Sequence, residues 1–325
     1  MTKQIQIKDD FYNQQIKEEY LAQLPKTKSF KTIRDAFIRF GEELECPLQK
    51  DLYEMSQGEL MAVLPNLEIT NYTDIRIKMS FIIDYIDWAY KRNLTNDLMN
   101  VAREINIYDI NLTKPMLVSH IKDDKTFAEM LETTYDIHRP NNTAVLWCMI
   151  WMGIPIKEAV LVKNEEIDLE KNTINYNNTL YKIPEVFHYI FDCYIKYDIM
   201  EYEGNNGMVI KKLIDSGYFI KPTRTMNKEE DTYYEPAPCN SNSLSTKLSN
   251  FKKDYRDITG KNVLYSTNTI TSSGIFYRAY EEERAGKSID GDYMADKFNI
   301  LNFYKATKTQ DKVEQYKLYK KVFWE

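Results

Sequence analysis

The sequence predicts a mainly α-helical protein of two domains with one small antiparallel β-hairpin or sheet. Three observations favour this fold class. Apolar residues recur at helical spacing through most of the chain, and strand character is confined to two short runs between residues 166 and 183. With 325 residues, 43% of them hydrophobic, the chain can also fill two cores of ordinary size, which argues against a natively unfolded protein.

The first domain, residues 1–112, is predicted to be a compact bundle of about four helices. Lys31–Leu44 carries apolar residues at three-to-four spacing, and Ser29 is a plausible N-cap before it. A second helix is predicted over Ser56–Leu64 and a third over Asp74–Lys91. A further short helix follows, and the domain boundary lies within about ten residues of position 112.

The second domain, residues 113–325, is predicted to combine helices with the hairpin. Its strand runs are Glu166–Asn175 and Thr179–Ile183, separated by Asn177-Asn178, which is typical of a hairpin turn. Residues 222–243 are polar and aperiodic and are predicted to be a mobile loop. The predicted helices are Lys125–Tyr135, Asn142–Met152, Lys157–Leu161, one from Pro184 to about Glu201, Leu244–Tyr255, Ser272–Arg284 and a C-terminal one through Glu314–Phe323.

Composition argues against several classes of function. The longest apolar run, Ala144–Ile156, is shorter than the ~20 residues of a membrane span, and the N-terminus lacks the apolar stretch of a secretion signal, so we expect a cytoplasmic protein. The four cysteines are far apart, which indicates neither a disulfide framework nor a zinc site. We expect no metal and no cofactor. Only three histidines occur, and none follows His188.

The charge is unevenly distributed. A net charge of −6 argues at face value against a nucleic-acid partner, because phosphate binding depends on Lys and Arg. Residues 26–39 nevertheless carry +4, residues 297–321 carry +5 and residues 211–256 carry +3, while acidic residues gather at 158–170 and 281–283. Such segregation can create a basic groove with an acidic back. Lys-rich stretches are also typical of solvated helix faces, and the charges alone favour that interpretation.

One block of sequence resembles a known family. Trp151–Val160 (WMGIPIKEAV), followed by Glu166-Ile-Asp168 and a hairpin closed by Pro184, resembles the tyrosine recombinase (phage integrase) pattern T-G-x-R-x-x-E-A/L, W-x-D-I-D and R-x-V/I-P. The order of the predicted elements is similar over nearly the whole chain. The resemblance implies a tyrosine-recombinase-like architecture, with a helical, SAM-like core-binding domain over 1–112 and a catalytic-type domain over 113–325 that together clamp duplex DNA.

The residues with which this family cuts DNA are missing from the matching positions. Pro155 stands where the pattern has its first arginine, and Asn177-Asn178 stand where the hairpin lysine would be. The segment that should hold His-x-x-Arg, Thr269–Tyr280, has no histidine, although another alignment would bring Arg278 near the groove. Tyr316 is the best match to the nucleophile, but the chain has 25 tyrosines. A tyrosine attacks phosphate poorly unless the developing charge is stabilised, so the resemblance implies a vestigial nucleophile position and no catalytic residues.

Each of these positions also has an ordinary structural explanation. Pro155 suits the start of a helix, and Tyr316 suits the surface of an amphipathic one. The hypothesis of a non-cutting scaffold therefore depends on the whole pattern. Such a scaffold can still occupy an operator, where phosphate contacts fix the register and base contacts specify the sequence. The predicted DNA-binding residues are Lys28, Lys31, Arg34, Arg224, Lys247, Lys252, Lys305 and Lys308.

The block from Lys50 to Trp88 further resembles the integrase-like master repressors that maintain lysogeny in SPbeta-type prophages. This resemblance implies a bacterial, nucleoid-associated repressor of lytic genes that binds a double-stranded operator and has a phage or host antirepressor or co-regulator as a partner. The C-terminal segment Lys312–Trp324 leaves a homodimer open. Two alternatives remain: a degenerate but active recombinase with Tyr316 as nucleophile, and an α-rich protein-interaction module without a DNA role.

Overall fold

The computed structural model describes residues 11–67, 69, 71–95, 99–112, 120–135, 141–204, 207–225, 237–261, 266–300 and 305–325. These residues are mainly helical with small antiparallel sheets, which confirms the predicted fold class. Contacts divide the chain into two compact units. The N-terminal unit comprises Met1–Val118 and Leu301–Glu325, and the central unit comprises Ser119–Ile300.

The described helices follow one another along the chain with short connections. They are α1 Gln14–Ala22, α2 Lys28–Phe40, α3 Cys46–Leu48, α4 Gln57–Val63, α5 Tyr72–Lys91, α6 Asp124–Thr134, α7 Asn142–Trp151, α8 Ile156–Ala159, α9 Glu185–Lys196, α10 Ser241–Thr259, α11 Thr267–Arg284, α12 Gly291–Lys297 and α13 Lys305–Phe323. A π-helical turn, Gly41–Glu45, joins α2 to α3 without a break. The strands are β1 Ile167–Asp168, β2 Thr173–Tyr176, β3 Thr179–Lys182, β4 Ile199–Gly204, β5 Gly207–Leu213 and β6 Thr223–Thr225.

An aromatic cluster forms the centre of the N-terminal unit. The ring of Phe37 on α2 lies 5.2 Å from that of Tyr85 on α5, and Tyr20 on α1 makes edge contacts with both rings. Edge-to-face pairs of this kind add to the free energy of burying apolar area. Trp88 stacks on Tyr85 at 5.8 Å. The cluster therefore holds α1, α2 and α5 against one another.

Two predicted helix starts in this unit differ from the structure. Helix α2 begins at Lys28 with Thr27 at the N-cap, so Ser29, the predicted N-cap, lies inside the first turn. Helix α1 was not predicted, because its apolar residues are interrupted by charged ones and one of them, Lys17, is itself buried. The predicted helix over Ser56–Leu64 is confirmed as α4, which Ser56 caps by accepting a hydrogen bond from the backbone N–H of Glu59.

Helix α7 is the centre of the central unit. All ten of its residues are buried, and Asn141 caps its N-terminus. Helix α11 packs directly on its C-terminal end, where a Cβ added to Gly274 would lie 2.0 Å from the carbonyl oxygen of Trp151. Only glycine permits so close an approach of two backbones. This contact fixes α11 against the turn that follows α7.

The predicted hairpin is confirmed, and a second sheet lies where a helix was expected. Strands β2 and β3 pair around Asn177 and Asn178, whose φ angles of 49° and 59° are those of a tight hairpin turn. The helix predicted to continue to Glu201 ends at Lys196, because the chain turns into the antiparallel sheet β4–β5–β6. The predicted loop over 222–243 is therefore partly wrong: β6 and the start of α10 fall within it, and residues 226–236 lie outside the described residues.

The two units also differ from the predicted division at residue 112. Residues 301–325, predicted to belong to the second domain, group with the N-terminal unit. The physical reason is an ion pair between Arg76 on α5 and Asp311 on α13, with nitrogen–oxygen distances of 2.6 and 2.5 Å. Such a pairing between residues distant in sequence is not visible to pattern analysis.

Candidate nucleic-acid interface

Helix α2 presents its basic residues on the face opposite its buried aromatic side chains. Lys31, Arg34 and Arg39 are exposed, whereas Phe37 is completely buried. At 3.6 residues per turn the three cations span roughly 140° of the helix surface. Asp35 shares this face. Among the described residues Lys31 and Arg34 form no ion pair, so both charges are available to an anionic partner.

The position of this basic face is set by contacts at both ends of α2. The guanidinium carbon of Arg34 lies 5.4 Å from the ring centroid of Phe11. At the C-terminal end, a Cβ on Gly41 would lie 3.0 Å from the backbone nitrogen of Tyr12. The helix is thus held by the segment that precedes α1. A rigid helix keeps its charges in a fixed geometry, as recognition of a regular phosphate backbone requires.

Helix α13 carries the second group of predicted contacts within the N-terminal unit. Lys308 is exposed on its first turns, and Lys317 and Lys321 are exposed further along. The helix is fastened through Asp311, which Arg76 contacts with two nitrogens and to which the hydroxyl of Tyr108 donates at 3.1 Å. Two parallel N–H···O bonds of this kind are stronger and more directional than a single ion pair.

Tyr316, the predicted vestigial nucleophile position, lies on α13 and is only 3% exposed. Tyr319 is completely buried, so the two tyrosines mark the packed side of this helix. A phenol in this position is not exposed to a phosphate. Burial also lowers the pKa of the neighbouring Lys312 to about 8.

The remaining predicted contacts lie in the central unit and do not share one face. Lys252 on α10 is exposed and Lys247 is half-buried, and five residues of helix separate them by roughly 140°. Arg224 lies on β6, directly opposite Lys212 on β5. Sequence reasoning did not select Lys212, although its place in an alternating strand was a usable signal. The side chains of Lys28, Arg224 and Lys305 lie outside what the structure describes.

The position of the family's first arginine contains no group that can bind phosphate. Pro155 is exposed and forms the N-cap of the short helix α8, with φ of −62°. It has neither charge nor N–H donor. The hairpin turn at Asn177 and Asn178 likewise contains no cation. Two of the positions that stabilise charge in the family pattern are therefore occupied by neutral residues.

Arg278 is held by groups of the protein itself. Its Nη1 donates a hydrogen bond to the carbonyl oxygen of Trp151 at 3.0 Å, and its Nη2 lies 3.6 Å from the position of a Cβ on Gly153. Burial lowers the pKa of Arg278, while Asp124, Tyr293 and other acidic groups around it act in the opposite direction. The guanidinium is therefore the cation of an otherwise acidic cluster, which disfavours a bound anion.

Asp124 completes this cluster. Its carboxylate accepts a hydrogen bond from the indole N–H of Trp151 at 2.5 Å. Burial raises the pKa of Asp124 to about 6, although the hydrogen bond from Trp151 and the charge of Arg278 both lower it. Arg278, Trp151 and Asp124 thus tie α11, the end of α7 and the start of α6 together. Their arrangement is one of support and not of catalysis.

Searches for other kinds of site gave negative results for the described part of the chain. There, no three His, Cys, Asp or Glu side chains are grouped so that they could hold a metal ion. Within the same residues, no helix has the length and apolar character needed to cross a bilayer. The four cysteines are all free thiols.

Comparison with known proteins places the N-terminal unit. A family model described as "MrpR, N-terminal core-binding domain" matches residues 11–91, which contain α1 to α5. Over 308 residues the chain is 24% identical to the SPbeta prophage-derived uncharacterized protein YopR of Bacillus subtilis (strain 168), with 89% of each chain covered.

Two solved structures are similar to the chain at low identity. One is XerA recombinase, with 14% identity, a TM-score of 0.38 and coverage of 95% of this chain and 98% of that one. The other is the Tn1549 transposon integrase in complex with a circular intermediate DNA, with 12% identity, a TM-score of 0.35 and coverage of 92% and 93%. By the match of residues 11–91, the N-terminal unit is similar in sequence to a core-binding domain, the type predicted for residues 1–112.

Proposed function

We propose that the protein is a sequence-specific double-stranded DNA-binding repressor of phage lytic genes, built on an integrase-like scaffold that does not cut DNA. The observation that carries the proposal is the exposed basic face of α2, with Lys31 and Arg34, inside the segment that matches a core-binding domain model. Phosphate contacts supply most of the affinity of such a surface. The 24% identity to a prophage-derived protein over most of both chains supports the prophage setting.

The proposal of a non-cutting scaffold is supported by three positions. Pro155 provides no donor, Arg278 donates to the carbonyl oxygen of Trp151, and Tyr316 is buried. Removing a single charge-stabilising donor from a reaction of this type typically costs ~10²–10³ in rate. With two such donors replaced or engaged elsewhere, binding is the property that this scaffold retains.

A repressor needs only to occupy its operator and exclude the polymerase. Three basic helices or strands, α2, α10 and α13, carry the predicted contacts, and the acidic surfaces lie elsewhere in the sequence. We place the protein in the bacterial cytoplasm on the nucleoid, with an antirepressor or co-regulator as a further partner. The mode of induction is part of this proposal only as a partner that competes for the operator-bound form.

The test is selection of bound duplexes from a pool with a randomised central segment, using the full chain at low and at intermediate salt. The proposal expects a shared sequence motif to emerge over successive rounds at intermediate salt. Recovery of an unselected pool would contradict sequence-specific binding, and the absence of any retained duplex at low salt would contradict DNA binding itself. Reversal of charge at Lys31 provides the matched control, because it changes the basic face of α2 without touching a buried residue.

A further inference from the structure

A fully buried cluster of three ionisable groups lies beneath α2. The Nζ of Lys17 on α1 lies 2.6 Å from Oε1 of Glu45 and 2.8 Å from Oδ1 of Asp51. All three side chains are at most 1% exposed. The same Nζ lies 4.0 Å from the centroid of the Tyr85 ring. One cation therefore faces two carboxylates in a site closed to water.

The charges of this cluster do not balance if both carboxylates are ionised. A net charge buried in a low-dielectric interior is costly, and two carboxylates that share one site do not both ionise readily. Binding one proton makes the cluster neutral. The hydrogen bonds of the two carboxylates show where that proton resides.

Asp51 is fully engaged as an acceptor, whereas Glu45 is not. Asp51 accepts from Lys17 through Oδ1 and from the side-chain amide of Asn13 through Oδ2, at 3.1 Å. Glu45 accepts from Lys17 and from the backbone N–H of Leu52, at 3.0 Å, but both bonds go to Oε1. Its Oε2 is buried and has no hydrogen-bond partner among the described residues. An oxygen in that position is the natural carrier of the proton. Burial raises the pKa of Glu45 to about 8, with Asp51 contributing and Lys17 opposing.

The other titratable groups that face the cluster do not compete for this proton at neutral pH. Burial raises the pKa of the Tyr53 phenol to about 12, and the pKa values of the Tyr85 and Tyr12 phenols and of the Cys46 thiol are also raised. All of these groups are therefore protonated before and after Glu45 titrates. The charged and titratable groups around Glu45 are Lys17, Asp51, Tyr12, Tyr53, Tyr85 and Cys46.

We propose that the cluster of Lys17, Glu45 and Asp51 binds one proton in the folded protein and releases it at mildly alkaline pH, which loosens the N-terminal unit at the end of helix α2. Glu45 is the last residue of the π-helical turn that continues α2. Helical turns of this type occur frequently at functional sites. The charge that appears on Glu45 thus acts on the helix that carries Lys31 and Arg34. The consequence for DNA affinity rests on the proposed function, whereas the consequence for folding does not.

The direction of the effect follows from proton linkage. The carboxyl of Glu45 takes up its proton at higher pH in the folded unit than at its ordinary value of 4.5 in the unfolded chain. Its contribution to stability is complete below that value and is lost as pH rises toward about 8. Release of one proton increases the opening equilibrium constant by at most about tenfold per pH unit. Above that range the dependence levels off.

The test is hydrogen exchange of α5 in the full chain, compared between the wild type and Glu45→Gln from pH 5 to pH 9. Helix α5 carries Tyr85 and exchanges when the unit opens, and the ratio of the two proteins cancels the intrinsic pH dependence of exchange. Gln keeps an acceptor for Lys17 and cannot ionise. We expect the ratio of wild-type to variant exchange to rise by up to about tenfold per pH unit and to level off near pH 8, in line with a single released proton.

Two further variants keep this test decisive. Glu59→Gln is the matched control: Glu59 is a carboxylate of the same unit, and hydrogen bonds from Lys50 and Ser56 lower its pKa to about 2, so it stays ionised throughout the range. Asp51→Asn removes the second carboxylate and should flatten the rise in the same way as Glu45→Gln. A ratio that stays constant from pH 5 to pH 9 would overturn the proposal, as would an equal rise in Glu59→Gln relative to wild type.

DNA retardation over the same pH series separates the two claims. Loss of affinity with rising pH in the wild type, but not in Glu45→Gln, supports the coupling to α2. A titrating cluster with pH-independent DNA affinity refutes that coupling and leaves the proton-binding cluster intact. If the wild type retards no duplex at any pH, the proposed function fails, and the hydrogen-exchange comparison still decides whether Glu45 titrates.

Discussion

Replacement of Gly274 by alanine is expected to destabilise the central unit, although the same substitution in an ordinary helix stabilises it. Gly274 lies within α11, where alanine is normally favoured by about 1 kcal/mol. Here the added Cβ would lie 2.0 Å from the carbonyl oxygen of Trp151 and 2.9 Å from its carbonyl carbon. The contacting atoms are backbone, so no side-chain rotation relieves them.

The size of the effect follows from the movement required. To reach 3.4 Å, an ordinary contact distance, α7 and α11 must separate by about 1.4 Å. Over-packing of this kind typically costs ~1–3 kcal/mol. Because α7 is buried along its whole length, we expect the upper part of that range, about 2–3 kcal/mol net. This corresponds to a factor of roughly 30 to 150 in the unfolding equilibrium constant.

The measurement is urea denaturation of the full chain, followed by circular dichroism and by tryptophan fluorescence, since Trp147 and Trp151 lie on α7. Gly58→Ala on α4 is the matched control. A Cβ at Gly58 has nothing within 4 Å, so this variant should be unchanged or more stable by about 0.4–1 kcal/mol. A Gly274→Ala protein as stable as the wild type would refute the close approach of α7 and α11, and with it the position assigned to Arg278.

Three further predictions follow from the described contacts. Lys31→Glu and Arg34→Glu should each weaken duplex binding and reduce the slope of log affinity against log salt by about 0.9, measured by retardation; an unchanged slope would contradict a role in phosphate contact. Arg76→Met should destabilise the N-terminal unit by about 2 kcal/mol in urea, because Asp311 is left without its main donor; a neutral result would show that α13 is held by other contacts. Because burial raises the pKa of Asp124 to about 6, stability of the central unit should fall as pH rises from about 4 to 6, and Asp124→Asn should abolish this dependence; a wild-type stability that is constant over that range would contradict the burial of the carboxyl.

Local patterns predicted much of the helical framework. The periodic apolar residues of Asp74–Lys91 and the apolar run after Asn141 correspond closely to α5 and α7. The Asn177-Asn178 turn was predicted because few residues other than glycine and asparagine adopt positive φ readily. These are features that neighbouring residues determine among themselves.

The second sheet was missed because its first strand continues a helix without a break signal. Residues 185–201 are rich in aromatic and β-branched side chains, which pack equally well in a buried helix and in a strand. The chain ends α9 at Lys196 and pairs Ile199 with Lys212, a partner thirteen residues away. Only the pairing partner distinguishes the two structures, and it lies outside any local window.

The candidate interface was predicted in part. Exposed cations on α2 follow from the spacing of Lys31 and Arg34 relative to Phe37. The inward orientation of Arg278 does not follow from spacing, because it depends on the carbonyl group of Trp151, which lies 127 residues earlier in the chain. The buried charges of Lys17 and Glu45 were likewise not recognised, since charged residues are rarely buried and a sequence does not show which carboxylate faces which cation.

The most direct test of DNA binding without cleavage is retardation of a selected duplex across a salt series, with the complexes afterwards boiled in detergent. Wild type and Tyr316→Phe are compared side by side. The proposal predicts binding that weakens with salt, equal affinity of the two proteins, and complete release of DNA by detergent. A detergent-stable adduct that disappears in Tyr316→Phe would establish an active recombinase instead, and the absence of binding at low salt would contradict the DNA-binding function.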